Sequence, residues 1–145
     1  MKSVNIQYGN QENNFQEGFY LMAGISNTSR TLEYIRSQGW EAEKVEYFNP
    51  YARKRKDLFG IIDIVALGDK GIIGVQSCGN NFSQHNEKIL SEPMAFKWLQ
   101  KGGTLMLIGW RKVKLHRGAK AMRWSPRIAY YYLKNEQICC VESQK

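Results

Sequence analysis

Acidic residues are missing from a long stretch of this chain. No Asp or Glu occurs between residues 93 and 135, where ten Lys and Arg stand. A surface built only for solubility mixes both signs, so this run is better explained by a polyanionic partner. Proline is scarce, three in 145 residues, and there is no internal repeat or low-complexity linker. The chain therefore reads as one domain over 1–145. Cysteine is limited to three, and Cys139 and Cys140 are adjacent. That argues against a secreted disulfide scaffold and suits reduced thiols in the cytoplasm. Cys78, His85, His116 and Cys139 or Cys140 show no zinc-type spacing. No apolar run nears the ~18 residues of a membrane span, and the first residues lack the apolar stretch of a secretory signal. Neither GxGxxG nor GxxxxGK[ST] is present, which removes the familiar nucleotide cradles.

What is present is sorted by sign. Residues 1–50 carry four basic and six acidic groups, 51–92 six and five, 93–135 ten and none, 136–145 one and two; together they make the net +8. A domain of this size buries roughly two-thirds of its unfolded surface, enough for a core without staples.

Residues 1–18 read as a polar arm, and Gly18–Ile25 is apolar but ambiguous. Asn27 or Thr28 caps a helix running to Gln38, with Leu32, Ile35 and Tyr34 inward and Gly39 at its end. Trp40–Phe48 reads as a strand. Leu58–Leu67 and Ile72–Ser77 flank a GDKG turn and read as a β-hairpin. The turn is too short for a parallel crossover, so the pair must be antiparallel. Phe82–Gln100 is helical in pattern and interrupted by Pro93. Thr104–Trp110 is a buried strand, Arg111–Arg127 a basic and partly irregular segment, and Ile128–Leu133 and Ile138–Val141 late short strands. The class is α/β, with a central mixed sheet containing an antiparallel hairpin and flanked by helices.

Asp63 stands in the middle of the apolar run IIDIVAL. A buried carboxylate without a partner is costly, so such a residue is either paired or functional. With the turn centred on Asp69 and Lys70, residue 67 faces 72, 65 faces 74 and 63 faces 76. Asp63 then lies opposite Gln76, with Cys78 on the same face. A bulge would break this register. The plain alternative is a core pair in which Gln76 satisfies Asp63.

IIDIVAL, GDKG and IIGVQSCG together resemble the core of the PD-(D/E)xK nucleases, closest to the archaeal-type and phage-encoded Holliday junction resolvases. The likeness covers roughly residues 28–112, including GGTLMLIGW. It implies a restriction-endonuclease-like domain and a metal-dependent DNA endonuclease, acting on branched or duplex DNA as a homodimer. It implies Mg²⁺ or Mn²⁺ held by Asp63, by Gln76 in the Glu position and by the Ser77 carbonyl. Glu33, from the first helix, is the family-type further acid, and Asp57 is a second candidate, sharing the face of Asp63 if the strand runs unbroken through Gly60. Cys78 occupies the Lys position and supplies no cation; Lys88, on the following helix, is the candidate to replace it. Gln removes a charge from the ligand set, so a non-cleaving DNA-binding protein of the same fold stays open, as does a basic inhibitor or adaptor. A Cys78/His85 nucleophile pair lacks any fixed geometry.

The cations sit where a nucleic-acid reading needs them. Arg53, Lys54, Arg55 and Lys56 precede the Asp63 strand. Arg111, Lys112, Lys114, Arg117, Lys120 and Arg123 follow the last core strand, in a basic C-terminal extension over 111–145. Trp110, His116, Trp124 and Tyr130–Tyr132 interleave with or follow them, either stacking on bases or packing a late hairpin.

Overall fold

The computed structural model describes residues 24–143. The expected arm over 1–18 and most of the 18–25 segment lie outside those residues. Helix α1 is Asn27–Ser37. Its N-cap is Ser26, whose hydroxyl accepts the Ser29 N–H at 3.1 Å, one residue earlier than the Asn27/Thr28 expectation. The helix stops at Gly39, whose φ of 84° is the left-handed conformation a C′ glycine adopts freely.

Strands β1 (Glu41–Lys44) and β2 (Tyr47–Asn49) follow, then β3 (Lys54–Lys56). The single strand expected over Trp40–Phe48 is thus two strands in two different sheets, because β2 leaves the main sheet to pair with β3. Strand β4 is only Ile64–Gly68, and β5 is Gly71–Cys78. Leu58–Asp63 is not part of β4. It forms a tight fold-back in which Leu58 and Ile62 bridge and Phe59 and Gly60 take φ of 54° and 76°.

Helices α2 (Phe82–Ser91) and α3 (Pro93–Gln100) are separate, as Pro93 demands. Pro93 opens α3, and the Glu92 carboxylate caps it by accepting the Met94 N–H. They carry the chain over to β6 (Thr104–Lys114), which pairs parallel to β5. Strands β7 (Met122–Lys134) and β8 (Gln137–Glu142) complete a six-stranded mixed sheet in the order β1-β4-β5-β6-β7-β8. The segment 111–127 is therefore mostly regular: Arg111–Lys114 pair with Met122–Ser125 in a long hairpin. Asn135 and Glu136 both have positive φ, as a two-residue type I′ connection requires.

Period two along β5 divides the core into two layers. Ile73 and Val75 join Ile35, Ile64, Met106, Ile108 and Trp110 beneath α1. Cys78 joins Ile61, Ile62, Phe82, Ile89, Leu105 and Leu107 beneath α2 and α3. Ile128, Ala129 and Tyr131 belong to these cores, so the late strands are structural rather than an appendage. Among the described residues, no helix is long and apolar enough to cross a membrane.

The inner face of α1 departs from a simple apolar stripe. Arg30, Thr31 and Ile35 are its buried residues. The Arg30 guanidinium lies 3.8 Å from the Trp124 ring centroid and donates to Asn27 Oδ1 and the Ile25 carbonyl. A cation on an aromatic face is what allows Arg at that depth. Trp110 Nε1 donates to Thr31 Oγ1 at 2.8 Å, locking α1 to β6.

Candidate metal centre

The hairpin register follows the sequence expectation as far as it can be followed. Leu67 pairs with Ile72, Val65 with Gly74 and Ile64 with Val75. The ladder then ends. The Asp63 N–H turns to the Val75 carbonyl at 2.9 Å, and its carbonyl accepts the Val45 N–H at 2.8 Å. Direct opposition of Asp63 and Gln76 is replaced by a side-chain contact one step on: Asp63 Oδ2 accepts the Ser77 N–H at 2.9 Å.

The fold-back before β4 sets the position of this carboxylate. Ile62 is fully buried and lies over Gly74, where an added Cβ would stand 2.6 Å from Ile62 Cδ1. Gly74 is thus needed for close approach rather than for backbone freedom. The same fold-back returns Asp57 to Asp63, so these acids meet through a turn and not through strand periodicity.

Glu46 completes the group. One ligand oxygen from each of Glu46, Asp57 and Asp63 lies within 4.8 Å of the others. The origin of the third acid is the small hairpin: Tyr47 pairs with Lys56, so Glu46 and Asp57 flank its base on opposite strands. Glu33 does not join this group. It sits on the exposed side of α1, while Arg30, Thr31 and Ile35 turn toward the sheet. The acid that does meet Asp57 and Asp63 comes instead from the β1–β2 junction.

Gln76 is 3% exposed, and its Nε2 donates to Asp57 Oδ2 at 3.4 Å. Its Oε1 is buried with no hydrogen-bond partner. A buried amide oxygen left unpaired costs on the order of 1–3 kcal/mol. Ser77 contributes its N–H to Asp63, and its hydroxyl meets Thr31 Oγ1 at 2.7 Å across the other face.

Lys88 does reach the region from the last turn of α2. Its Nζ donates to the Gly60 carbonyl at 2.8 Å, clasping the fold-back rather than pairing with a carboxylate. His85 is depressed below its ordinary pKa by burial and then by Lys88, with Asp57 acting in the opposite sense. Cys78 is buried, and burial followed by the charge of Asp63 pushes its thiol up to about 11. Buried and shifted in this way, Cys78 acts as a packing group in the core beneath α2.

Asp63 is the most perturbed carboxyl of the group, raised to about 8. Burial is the main cause, followed by its hydrogen bond with Asp57; the Ser77 N–H acts against both. Crowded acids in a dry setting hold protons unless a cation replaces them. The donors are carboxylate and amide oxygens, a hard set suited to Mg²⁺ or Mn²⁺. The orphaned Gln76 oxygen fits the same need.

The basic residues fall on two projections. Arg53–Lys56 lie on the exposed β2–β3 hairpin, beside the acids at its base. Arg111, Lys112 and Lys114 end β6, Arg117 and Lys120 lie in the β6–β7 connection, and Arg123 is on β7. Cys78 of β5 pairs with Gly109 of β6, so this second projection extends past the end of β5 that carries Gln76. Half of the aromatics interleaved with it are packed, while His116, Tyr130 and Tyr132 are exposed. Trp110 is buried, Trp124 stacks on Arg30, and the buried Tyr131 donates to Asn86 Oδ1 at 2.6 Å.

No family model, curated protein or solved structure matches the chain.

Proposed function

We propose that the protein is a divalent-cation-dependent DNA endonuclease with a restriction-endonuclease-like core, its site formed by Asp63, Asp57, Glu46 and Gln76. The observation that carries this reading is the convergence of three carboxylates beside a buried, unpartnered amide oxygen. Such a constellation is unfavourable by itself and becomes favourable around a cation. A Mg²⁺ or Mn²⁺ ion bound there supplies an activated water and neutralises charge on a phosphodiester. The chain's own residues do the rest. Ser77 N–H fixes the Asp63 carboxylate, Lys88 closes the turn that carries Asp57, and Ile62 over Gly74 keeps Asp63 in place. Arg53–Lys56 and the β6–β7 projection hold the phosphate backbone on either side.

A non-cleaving DNA-binding role is favoured by one specific observation. The Lys88 ammonium is committed to the Gly60 carbonyl, and no lysine pairs with the acids among the described residues. Incubation with linear, flapped and four-way-junction DNA, in Mn²⁺ and in EDTA, separates the readings. Metal-dependent cutting that is lost in Asp63→Ala supports the nuclease. Salt-sensitive binding without cutting selects the second role, and no binding at low salt refutes both.

A further inference from the structure

The β2–β3 hairpin does more than carry cations. Its pairs are Tyr47–Lys56, Phe48–Arg55 and Asn49–Lys54. Side chains alternate along each strand, so Glu46, Phe48, Arg55 and Asp57 share one face, and Tyr47, Lys54 and Lys56 share the other. The face that begins with two acids at the base continues upward through a guanidinium and a benzyl ring. The geometry is confirmed by a diagonal ion pair: Arg55 Nη1 lies 3.1 Å from Glu46 Oε1. The two partners are unequal. The Arg55 side chain is 70% exposed, whereas that of Glu46 is 15% exposed. Glu46 is anchored at the site, and Arg55 reaches down to it from solvent. Across from Arg55, Phe48 is 55% exposed, and Tyr51, at the tip, is 97% exposed.

The Arg55 side of the pair is open to solvent and held by a single contact, so a competing anion can exchange it. We propose that Arg55 is a resident counter-ion for Glu46 that a DNA phosphate draws away, so that duplex DNA and the divalent cation each strengthen binding of the other. Without DNA, the guanidinium occupies a carboxylate the cation needs. With DNA on the Phe48–Arg55 face, Arg55 turns to the phosphate and Glu46 is released to the cation. Linkage makes the coupling reciprocal. Arg55 is in this sense a positioning residue, acting through Glu46. The inference rests on the acids being the cation site, and the test separates the two ideas.

The full chain is titrated with Mn²⁺, free ion being read by electron paramagnetic resonance. The titration is made with and without a phosphorothioate duplex that keeps its charge and resists cleavage. Three proteins are compared: wild type, Arg55→Gln and Asp63→Asn. Without DNA, Arg55→Gln binds Mn²⁺ about threefold tighter than wild type, the size expected for release from a weak, single-contact pair. The same variant binds the duplex more weakly, and the duplex tightens its Mn²⁺ binding about threefold less than in wild type. Arg55→Lys restores the wild-type pattern in part. A purely structural role would weaken both ligands together, so the opposite signs are diagnostic. If Arg55→Gln leaves Mn²⁺ affinity and its DNA enhancement unchanged while Asp63→Asn abolishes Mn²⁺ binding, the counter-ion role is overturned and the cation site stands. If Mn²⁺ does not bind, or binds equally well to Asp63→Asn, the site itself is refuted and the counter-ion role falls with it.

Discussion

Replacing Asp63 by Asn isolates the tension built into the acid cluster. In the folded chain this carboxyl titrates near 8, against an ordinary value of 3.8. The folded state therefore holds an extra proton between those values, and stability falls as pH rises through that window. The largest slope one group can produce is about 1.4 kcal/mol per pH unit, or about 3 kcal/mol from pH 5 to 7. That limit is an upper bound for a single group in an acidic cluster, so about 1–1.5 kcal/mol is the expected loss. For a domain of this size that corresponds to about 3–6 °C in melting temperature. Other groups move with pH as well. Burial lowers His85, which adds stability as pH rises toward its ordinary 6.5, whereas the contribution of Glu142, lowered by Arg127, is gained below 4.5 and is already complete here. The quantity to measure is thus the difference between wild type and Asp63→Asn, by calorimetry in EDTA from pH 5 to 7.5. Asn keeps an oxygen for the Ser77 N–H, so the substitution removes charge and little else. The variant should overtake wild type steadily as pH rises. Mn²⁺ at pH 7.5 should raise the melting temperature of wild type and leave the variant unmoved. A difference that stays constant across the range would show that the carboxyl titrates normally, and the reasoning would fail.

Substitutions at four further positions probe the surroundings. Gln76→Glu adds a fourth carboxylate beside Asp57, so it should lower the metal-free melting temperature by a few degrees and tighten Mn²⁺ binding about tenfold, both read in one thermal-shift titration. Gly74→Ala places a methyl carbon 2.6 Å from Ile62 Cδ1 and 3.1 Å from Leu105 Cδ2. It should cost about 1–3 kcal/mol in urea unfolding and weaken Mn²⁺ binding by shifting Asp63; unchanged metal affinity would mean that the Ile62 contact does not position the carboxylate. Charge removal at Lys54 and Lys56, which face away from the acids, should reduce the salt slope of duplex binding by about 1.8 and leave Mn²⁺ affinity in the absence of DNA untouched.

Much of the local order was legible. The two-residue turn in GDKG set the β4–β5 register through Ile64–Val75, because a turn of fixed length leaves one pairing that keeps Val65 and Gly74 on one face. Pro93 marked the break between α2 and α3, and Gly39 the end of α1. The site was only half legible. Asp63 and Gln76 were visible as polar residues in apolar strands. Asp57 was visible for a mistaken reason: continuous alternation would have placed it beside Asp63, but Phe59 and Gly60 break the strand and a turn supplies the proximity. Glu46 was missed, although EYFNPYARKRK contains its signal, a Pro-bearing turn between two short runs that pair when centred on 51 and 52. Arg30 was missed for the opposite reason, since a cation on an inward helix face is acceptable only when an aromatic ring from β7 meets it.

The sequence alone determined the quantities that depend on neighbours along the chain: turn lengths, helix stops, the alternation of β5 and the division of charge between the two halves. Tertiary structure decided which carboxylates meet. Glu33 and Glu46 are equally acidic on paper, and α1 turns one to solvent while the small hairpin brings the other to Asp57. Helix rotation is set by the whole buried face, here Arg30, Thr31 and Ile35 against the sheet, and no property of Glu33 itself enters that balance.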